Sequence, residues 1–409
     1  MTPSASSQDE VQSARSFLLV WFVFSLAVLA GAKFLLFPSG LAERMDFRQL
    51  YAAGYLARTD PASLYDYEQQ KAVQDRLVSK AGGLLPFIRP AYEALLFLPL
   101  SYLPYRAAYL AFLALNLLLL LASFFACRFE LSHAGTFAQP RAGLQIFLFY
   151  PVLAAILQGQ DSILMLLGLC LAYRYWKSEA GFAAGVLLGL LMFKPQIAIP
   201  LAAFLLVRSA SLALSGGLAL GIAGSAALSI YVSGWSVVLS FGRVLKLTAA
   251  ATLAPNSGPV LGVAPLAMPN LKGLISGITL NRLPASATLL ITVVVSAGIA
   301  IAVMRSLRAR KPSPEVAFSV AVTAALLLSY YLHLQDLTLL LLPLGFLAGQ
   351  RKRNLAVASW LLYIAPPLVV MLGHGLIFLL SLPVLFLLLA ASAPAGCGPG
   401  LHARSTASS

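Results

Sequence analysis

The stretch Leu113-Ala114-Leu115-Asn116-Leu117-Leu118-Leu119-Leu120-Leu121-Ala122-Ser123-Phe124-Phe125 decides the fold class. A half-buried strand alternates apolar and polar residues, and a membrane barrel repeats that alternation in segments of about ten residues. Here the apolar character is continuous. With its flanks it runs from Tyr105 to Cys127, long enough for a helix to cross a hydrocarbon core about 30 Å thick. Similar runs recur along all 409 residues, of which 60% are hydrophobic and 10% charged, with a mean hydropathy of +0.86. A soluble domain has roughly half apolar and about a quarter charged residues. The chain therefore reads as an all-α, polytopic membrane protein, because a helix satisfies its backbone polar groups within one segment.

Working outward, spans are expected at Phe17–Phe37, Tyr105–Cys127, Leu144–Leu157, Ile163–Trp176 and Gly181–Phe193. The last is interrupted by Lys194-Pro195-Gln196 and continues over Ile197–Val207. Further spans are expected at Leu212–Tyr231, Leu283–Met304, Ala317–Leu332, Leu337–Leu347, Ala356–Val370 and Leu376–Leu389. The total is about twelve spans if Ala94–Leu103, broken by Pro99 and Pro104, does not cross completely. Residues 16–392 then form one membrane domain with long outer loops at 41–89 and 233–282. Residues 1–15 and 393–409 are expected to be disordered cytoplasmic tails.

The net charge of +14 does not indicate nucleic acid, because the bases scatter to span ends and are not clustered on one groove. Arg305, Arg308, Arg310 and Lys311 form one cluster, and Arg351, Lys352 and Arg353 another. Placing both in the cytoplasm puts 41–89, Gly159–Asp161, Lys194, 233–282, His333–Asp336 and His374 together on the opposite face. Cys127, Cys170 and Cys397 are far apart and show neither metal spacing nor a disulfide framework.

The densest polar stretch near a span edge is Arg44-Met45-Asp46-Phe47-Arg48-Gln49-Leu50-Tyr51. The outer loop that contains it, 41–89, holds six of the fourteen acids. Phe47–Ala57 and Tyr67–Val78 have helical periodicity, separated by the Asp60-Pro61 break. They read as short interfacial helices, with Tyr51, Tyr55, Tyr65 and Tyr67 at headgroup depth.

Met45-Asp46-Phe47 with Tyr51-Ala52-Ala53-Gly54, followed by Thr59-Asp60-Pro61-Ala62-Ser63-Leu64-Tyr65-Asp66, resembles the first lumenal loop of glycosyltransferase family 87. Further matching pieces are Pro90-Ala91-Tyr92 to Leu98-Pro99-Leu100, Gly159-Gln160, Gly185 to Gly189 with Lys194-Pro195, and Leu332-His333-Leu334-Gln335-Asp336-Leu337 with Leu342-Pro343. Their order resembles the family from about residue 40 to about residue 350. Two departures are Asp161, where the family often has Asn, and Arg89-Pro90-Ala91 in place of an aromatic-Pro-Pro. The resemblance implies a GT-C fold that takes a sugar from a polyprenyl-phosphate carrier and passes it to a lipid or glycan acceptor. It also implies a bacterial inner membrane with the active site facing the periplasm.

Under that resemblance Asp46 stands where GT-C enzymes carry the catalytic base. Read by itself, it is equally an interfacial acid paired with Arg44 or Arg48. A departing polyprenyl phosphate gains negative charge, so cations are expected around it. Lys194, Arg89 and His333 are the donor-phosphate candidates. Lys194 reads either as such a cation or as a lysine snorkelling from a helix end. His333 and Asp336 are close to one helical turn apart and read as site residues or as a structural pair. Asp161 reads as an acceptor-binding acid or, more simply, as the N-cap of the helix at Ser162. Arg48, Tyr92, Gln160, Asp161, Asp336 and Lys272 complete the substrate-binding candidates. The outer loops contain no Asp-x-Asp pair, so neither metal nor cofactor is expected. The competing reading is a multispan transporter or lipid-sugar flippase. That reading predicts inverted repeats and broken helices near the midplane, and no convincing repeat is visible.

Overall fold

The computed structural model describes residues 45–80, 83–133, 146, 149–251, 264–280, 282–348, 350 and 352–393. The expected span at Phe17–Phe37, both tails, Arg44, Arg351 and Cys397 lie outside the described residues. Among those described, every regular element is helical. Five helical stretches are long and apolar enough to cross a membrane: Tyr105–Cys127, Leu212–Ser233, Ala285–Arg310, Arg353–Leu372 and His374–Ser392.

The first outer loop folds into α1 (Phe47–Thr59) and α2 (Tyr67–Leu77), followed by the seven-residue α3 (Ala91–Phe97) and a 3-10 turn at Pro99–Tyr102. At 1.5 Å per residue α3 is about 10 Å long, far short of a span, so the Ala94–Leu103 segment does not cross as a helix. Asp66 caps α2 by accepting from the Glu68 and Gln69 amides. α1 packs inside the protein. Phe47, Leu50, Tyr51, Ala52, Ala53 and Leu56 are buried, and the Tyr51 hydroxyl donates to the Leu103 carbonyl at 2.8 Å. Its apolar residues face α2, α3, the 3-10 turn at Pro99–Tyr102 and the helix Tyr105–His133.

The bundle proper begins with α4 (Tyr105–His133). It continues through α5 (Tyr150–Gln158), α6 (Ser162–Lys177), α7 (Gly181–Leu190), α8 (Pro195–Ser209) and α9 (Leu212–Ser233). The opening part of the second outer loop is also helical, α10 (Trp235–Ala251), which its Gly/Pro/Asn-rich surroundings had obscured; α11 (Leu271–Ile278) lies beyond it. Then come α12 (Ala285–Arg310), α13 (Pro314–Leu328), a 3-10 segment at Leu334–Leu340 running into α14 (Leu341–Leu347), α15 (Arg353–Leu372), a second 3-10 segment at His374–Leu380, and α16 (Ser381–Ser392). On α12, Leu290, Val293 and Val294 are exposed by 64%, 55% and 61%, a surface that suits lipid tails and not water.

Small residues bring α7 and α9 into backbone contact. A Cβ on Gly189 would stand 2.6 Å from Gly221 Cα, and one on Gly217 would stand 2.0 Å from the Phe182 carbonyl oxygen. This is the close packing that glycine at every fourth position permits.

The two ends of the bundle differ in charge. At one end Lys177 pairs with Glu315 at 2.7 Å, Arg208 donates to the Pro312 carbonyl, and Arg310 and Lys352 donate to the carbonyls of Ser392 and Ala393. The N-termini of α6 and α8 and the exit from α13, at the other ends of these same helices, carry the polar cluster described next.

Candidate active site

Three local devices present the polar groups. Gly159 ends α5 in the left-handed conformation (φ +63°). A Cβ there would stand 2.6 Å from Phe47 Cβ, so only glycine lets the turn seat against α1. Phe47 is fixed in turn by aromatic neighbours, stacking on Phe112 at 5.1 Å with Tyr105 and Tyr109 near 6 Å (5.8 and 5.9 Å). As a result Asp46, one residue before Phe47, meets Gln160, one residue after Gly159. Pro195 opens α8 and leaves Lys194 just outside it. Asp336 accepts from the His333 backbone amide at 3.0 Å, which caps the 3-10 segment.

Asp46 stands at the N-cap of α1, but its side chain makes no capping bond. Its Oδ2 accepts from Gln160 Nε2 at 2.6 Å and from Gln335 Nε2 at 3.2 Å. Both donors are neutral amides. Among the described residues no cation lies within ion-pair distance of Asp46, and Oδ1 accepts no hydrogen bond. The carboxylate is partly exposed.

Behind it lies a buried ionic cluster. Lys194 Nζ is 2.7 Å from Asp161 Oδ1, donates to Ser162 Oγ at 2.8 Å, and also pairs with Asp336. Ser162 in turn donates to Asp336 at 2.8 Å. Arg89 pairs with Asp161 at 2.8 Å and reaches Gln160 Oε1 at 3.5 Å. Two expectations need correcting. Lys194 does not snorkel: its side chain is 1% exposed. Asp161 occupies the N-cap position of α6 but makes no capping bond, because Arg89 and Lys194 hold its carboxylate. Burial opposes its ionisation, yet those two cations keep Asp161 below the usual carboxylate range.

His333 joins the group through its backbone bond to Asp336, and the Tyr331 hydroxyl lies 2.5 Å from its Nε2. Burial holds the imidazole below its ordinary value despite the nearby Asp46 and Asp336, so it is neutral near pH 7. Arg89 also faces an open cleft of ≈ 360 Å³, with Phe193, Gln196, Phe241, Tyr330 and Tyr331 among its walls.

Three candidates are not brought into this cluster. Arg48 is buried and binds Gln74 (2.9 Å), Asp75 (3.7 Å) and the Gly83 carbonyl, which ties α1 to α2 and the loop beyond it. Tyr92 donates to the Leu190 carbonyl at 2.9 Å, and its amide donates to Ser229, so it anchors α3 on α7 and α9. Lys272 sits on α11, where desolvation lowers its ammonium to about 8. Asn270, which caps α11, donates to the Ser329 carbonyl at 2.8 Å and so ties that helix to the segment leading to Tyr331.

Sequence reasoning missed Glu93, Ser162, Tyr331 and Gln335. Glu93 had a readable signal, as a lone acid opening an apolar segment. The other three are neutral and carry no such mark. Among the described residues no group of three or more His, Cys, Asp and Glu could hold a metal ion.

A model of glycosyltransferase family 87 matches residues 87–330. The chain belongs to glycosyltransferase family 87. The family 87 match encloses Arg89, Glu93, Gln160, Asp161 and Lys194, while Asp46 and His333–Asp336 lie on either side of it. Comparison with curated proteins finds no match. Comparison with solved structures finds none either.

Proposed function

We propose that this family 87 glycosyltransferase moves a sugar from a polyprenyl-phosphate donor to a hydroxyl of a lipid or glycan acceptor, with Asp46 as general base. The observation that carries the reading is the state of Asp46. It is oriented by two neutral amides, neutralised by no described cation, and its Oδ1 accepts no hydrogen bond among the described residues. A carboxylate held in this way can take a proton; one locked to an arginine is a poor acceptor. As the acceptor oxygen attacks C1 of the sugar, its proton passes to Asp46. The C1–O bond to the carrier breaks, and the electron pair leaves on the phosphate.

Arg89, at the edge of the aromatic cleft, is the cation best placed for that phosphate. Lys194, committed to Asp161 and Asp336, holds the cluster together instead. Lys272 and His333 are assigned secondary roles in donor binding, and Asp336 and Asp161 position the rest. The proposed setting is a GT-C domain of about twelve spans with this centre at the outer face of a bacterial inner membrane. The basic runs Arg305–Lys311 and Lys352–Arg353, at the opposite end from this centre, support that orientation.

The test is Asp46→Asn in purified protein, given radiolabelled polyprenyl-phosphate sugars and a lipid extract. Loss of transfer by about 100-fold or more with donor binding retained is expected for a missing general base. Unchanged transfer would remove Asp46 from the chemistry. Absence of transfer in the wild type, together with substrate flux across vesicles, would favour a flippase.

A further inference from the structure

Glu93 is fully buried at the start of α3, and neither of its carboxylate oxygens finds a donor among the described residues. It faces Asp161, with the two carboxyl groups within hydrogen-bonding reach of each other. The other charged or titratable groups around it are Arg89, Lys194 and the phenols of Tyr65 and Tyr92. Two carboxylates offer only acceptors to each other, so a bond between them needs a proton. The charge balance says which one carries it. Arg89 and Lys194 are already matched by Asp161 and Asp336. A third buried anion would be uncompensated, a costly state that is avoided by keeping the proton. Asp161 lies in direct ion-pair contact with both cations, so Glu93 is the partner that stays neutral. Desolvation agrees, pushing the Glu93 carboxyl well above its ordinary value with Asp161 adding to the rise.

We propose that Glu93 is a positioning residue that works as a neutral carboxylic acid, donating its proton to Asp161 and so holding the Asp161–Arg89–Gln160 chain that orients Asp46. The catalytic consequence rests on the reading of Asp46 as base; the protonation does not. The chain is short. Arg89 pairs with Asp161 and touches Gln160 Oε1, and the Nε2 of that same amide donates to Asp46. An ionised Glu93 would compete for Arg89 and repel Asp161, turning the Gln160 amide away from its working direction.

Two measurements on the full-length protein in detergent or lipid test this. Infrared spectra at pH 7 should show a protonated carboxylic acid band in the wild type, sensitive to D2O and missing in Glu93→Gln. An unchanged band region in that variant would overturn the proposal. Thermal stability against pH gives the second readout. The folded protein keeps the Glu93 proton at pH values where the unfolded chain, with a value near 4.5, releases it. The unfolded state therefore binds fewer protons, and wild-type stability drains away as pH rises from about 4.5 towards the raised folded value. Glu93→Gln lacks this loss, so its melting temperature should gain on the wild type with rising pH. Parallel curves would overturn the proposal.

For catalysis, Glu93→Leu should lower kcat by about tenfold to hundredfold, the kinetic equivalent of a lost buried hydrogen bond, with little change in donor KM. Glu93→Gln, which restores a donor, should recover most of that loss. If the infrared and stability results hold but Asp46→Asn still transfers sugar, the base assignment fails and the protonation stands. If Asp46→Asn is inactive and the infrared band is unchanged, only the proposal for Glu93 fails.

Discussion

Asp46 and Gln335 are 289 residues apart in the chain and 3.2 Å apart in space. Gln160, 114 residues from Asp46, binds the same oxygen. A carboxylate oriented by two amides keeps its negative charge while losing rotational freedom, which suits a base that must meet its proton in one direction. Gln335→Leu should lower kcat by about tenfold and leave donor KM nearly unchanged, since it removes one orienting bond and no charge. Gln335→Glu places a second acid beside Asp46. Two carboxyl groups so close cannot both ionise freely, so the acid limb of the pH–rate profile should move to higher pH. A limb that stays where the wild type has it would mean that Asp46 is not the group seen in the profile.

Lys194 makes a prediction about stability. Lys194→Met leaves Asp161 and Asp336 with one shared cation fewer and should destabilise the fold by about 3–5 kcal/mol, the cost of breaking a buried pair. Adding Asp336→Asn removes one stranded charge and should return part of that loss. Denaturation of the single and double variants in detergent measures the difference. Additive losses would contradict the pairing.

Gly159→Ala should be felt more in activity than in folding. The left-handed backbone costs a residue with a Cβ about 1–2 kcal/mol. The new methyl also meets Phe47, which must shift and carry Asp46 with it. The expected result is a small drop in melting temperature with a larger drop in kcat.

Lys272 supplies a second pH dependence, in donor binding. Its ammonium is the form present below about 8, where desolvation has moved it. If it helps to bind the donor phosphate, donor KM should rise as pH passes about 8. In Lys272→Arg, whose guanidinium stays charged, KM should remain flat across that range.

The helical membrane class was legible because continuous apolar runs such as Leu113–Phe125 have one physical explanation. Lys194 was legible for the opposite reason, as a charge between two apolar runs that needs a partner. Its partners were not legible, since Asp161 and Asp336 lie far away in the chain. Arg48 and Tyr92 misled because a polar side chain beside a reactive one has no readable direction: Arg48 turns to Gln74, and Tyr92 to Leu190. Helix α10 was hidden by the glycine and proline around it. The neutral amide Gln335 carried no signal at all, although its neighbours His333 and Asp336 did.

The ionic cluster also sets an order of events during synthesis. Chains emerge from the N-terminus first. Arg89, Asp161 and Lys194 are made together, while Asp336 arrives 142 residues after Lys194. Until then the ammonium has one carboxylate where the finished protein gives it two, and Asp46 has one amide in place of two. A nascent chain that has inserted α1 to α12 therefore already has Asp46 but not the full arrangement around it. The second bond to Asp46 forms only after Gln335 has been made. A truncation anywhere before Gln335 leaves Asp46 held by Gln160 and without its second amide.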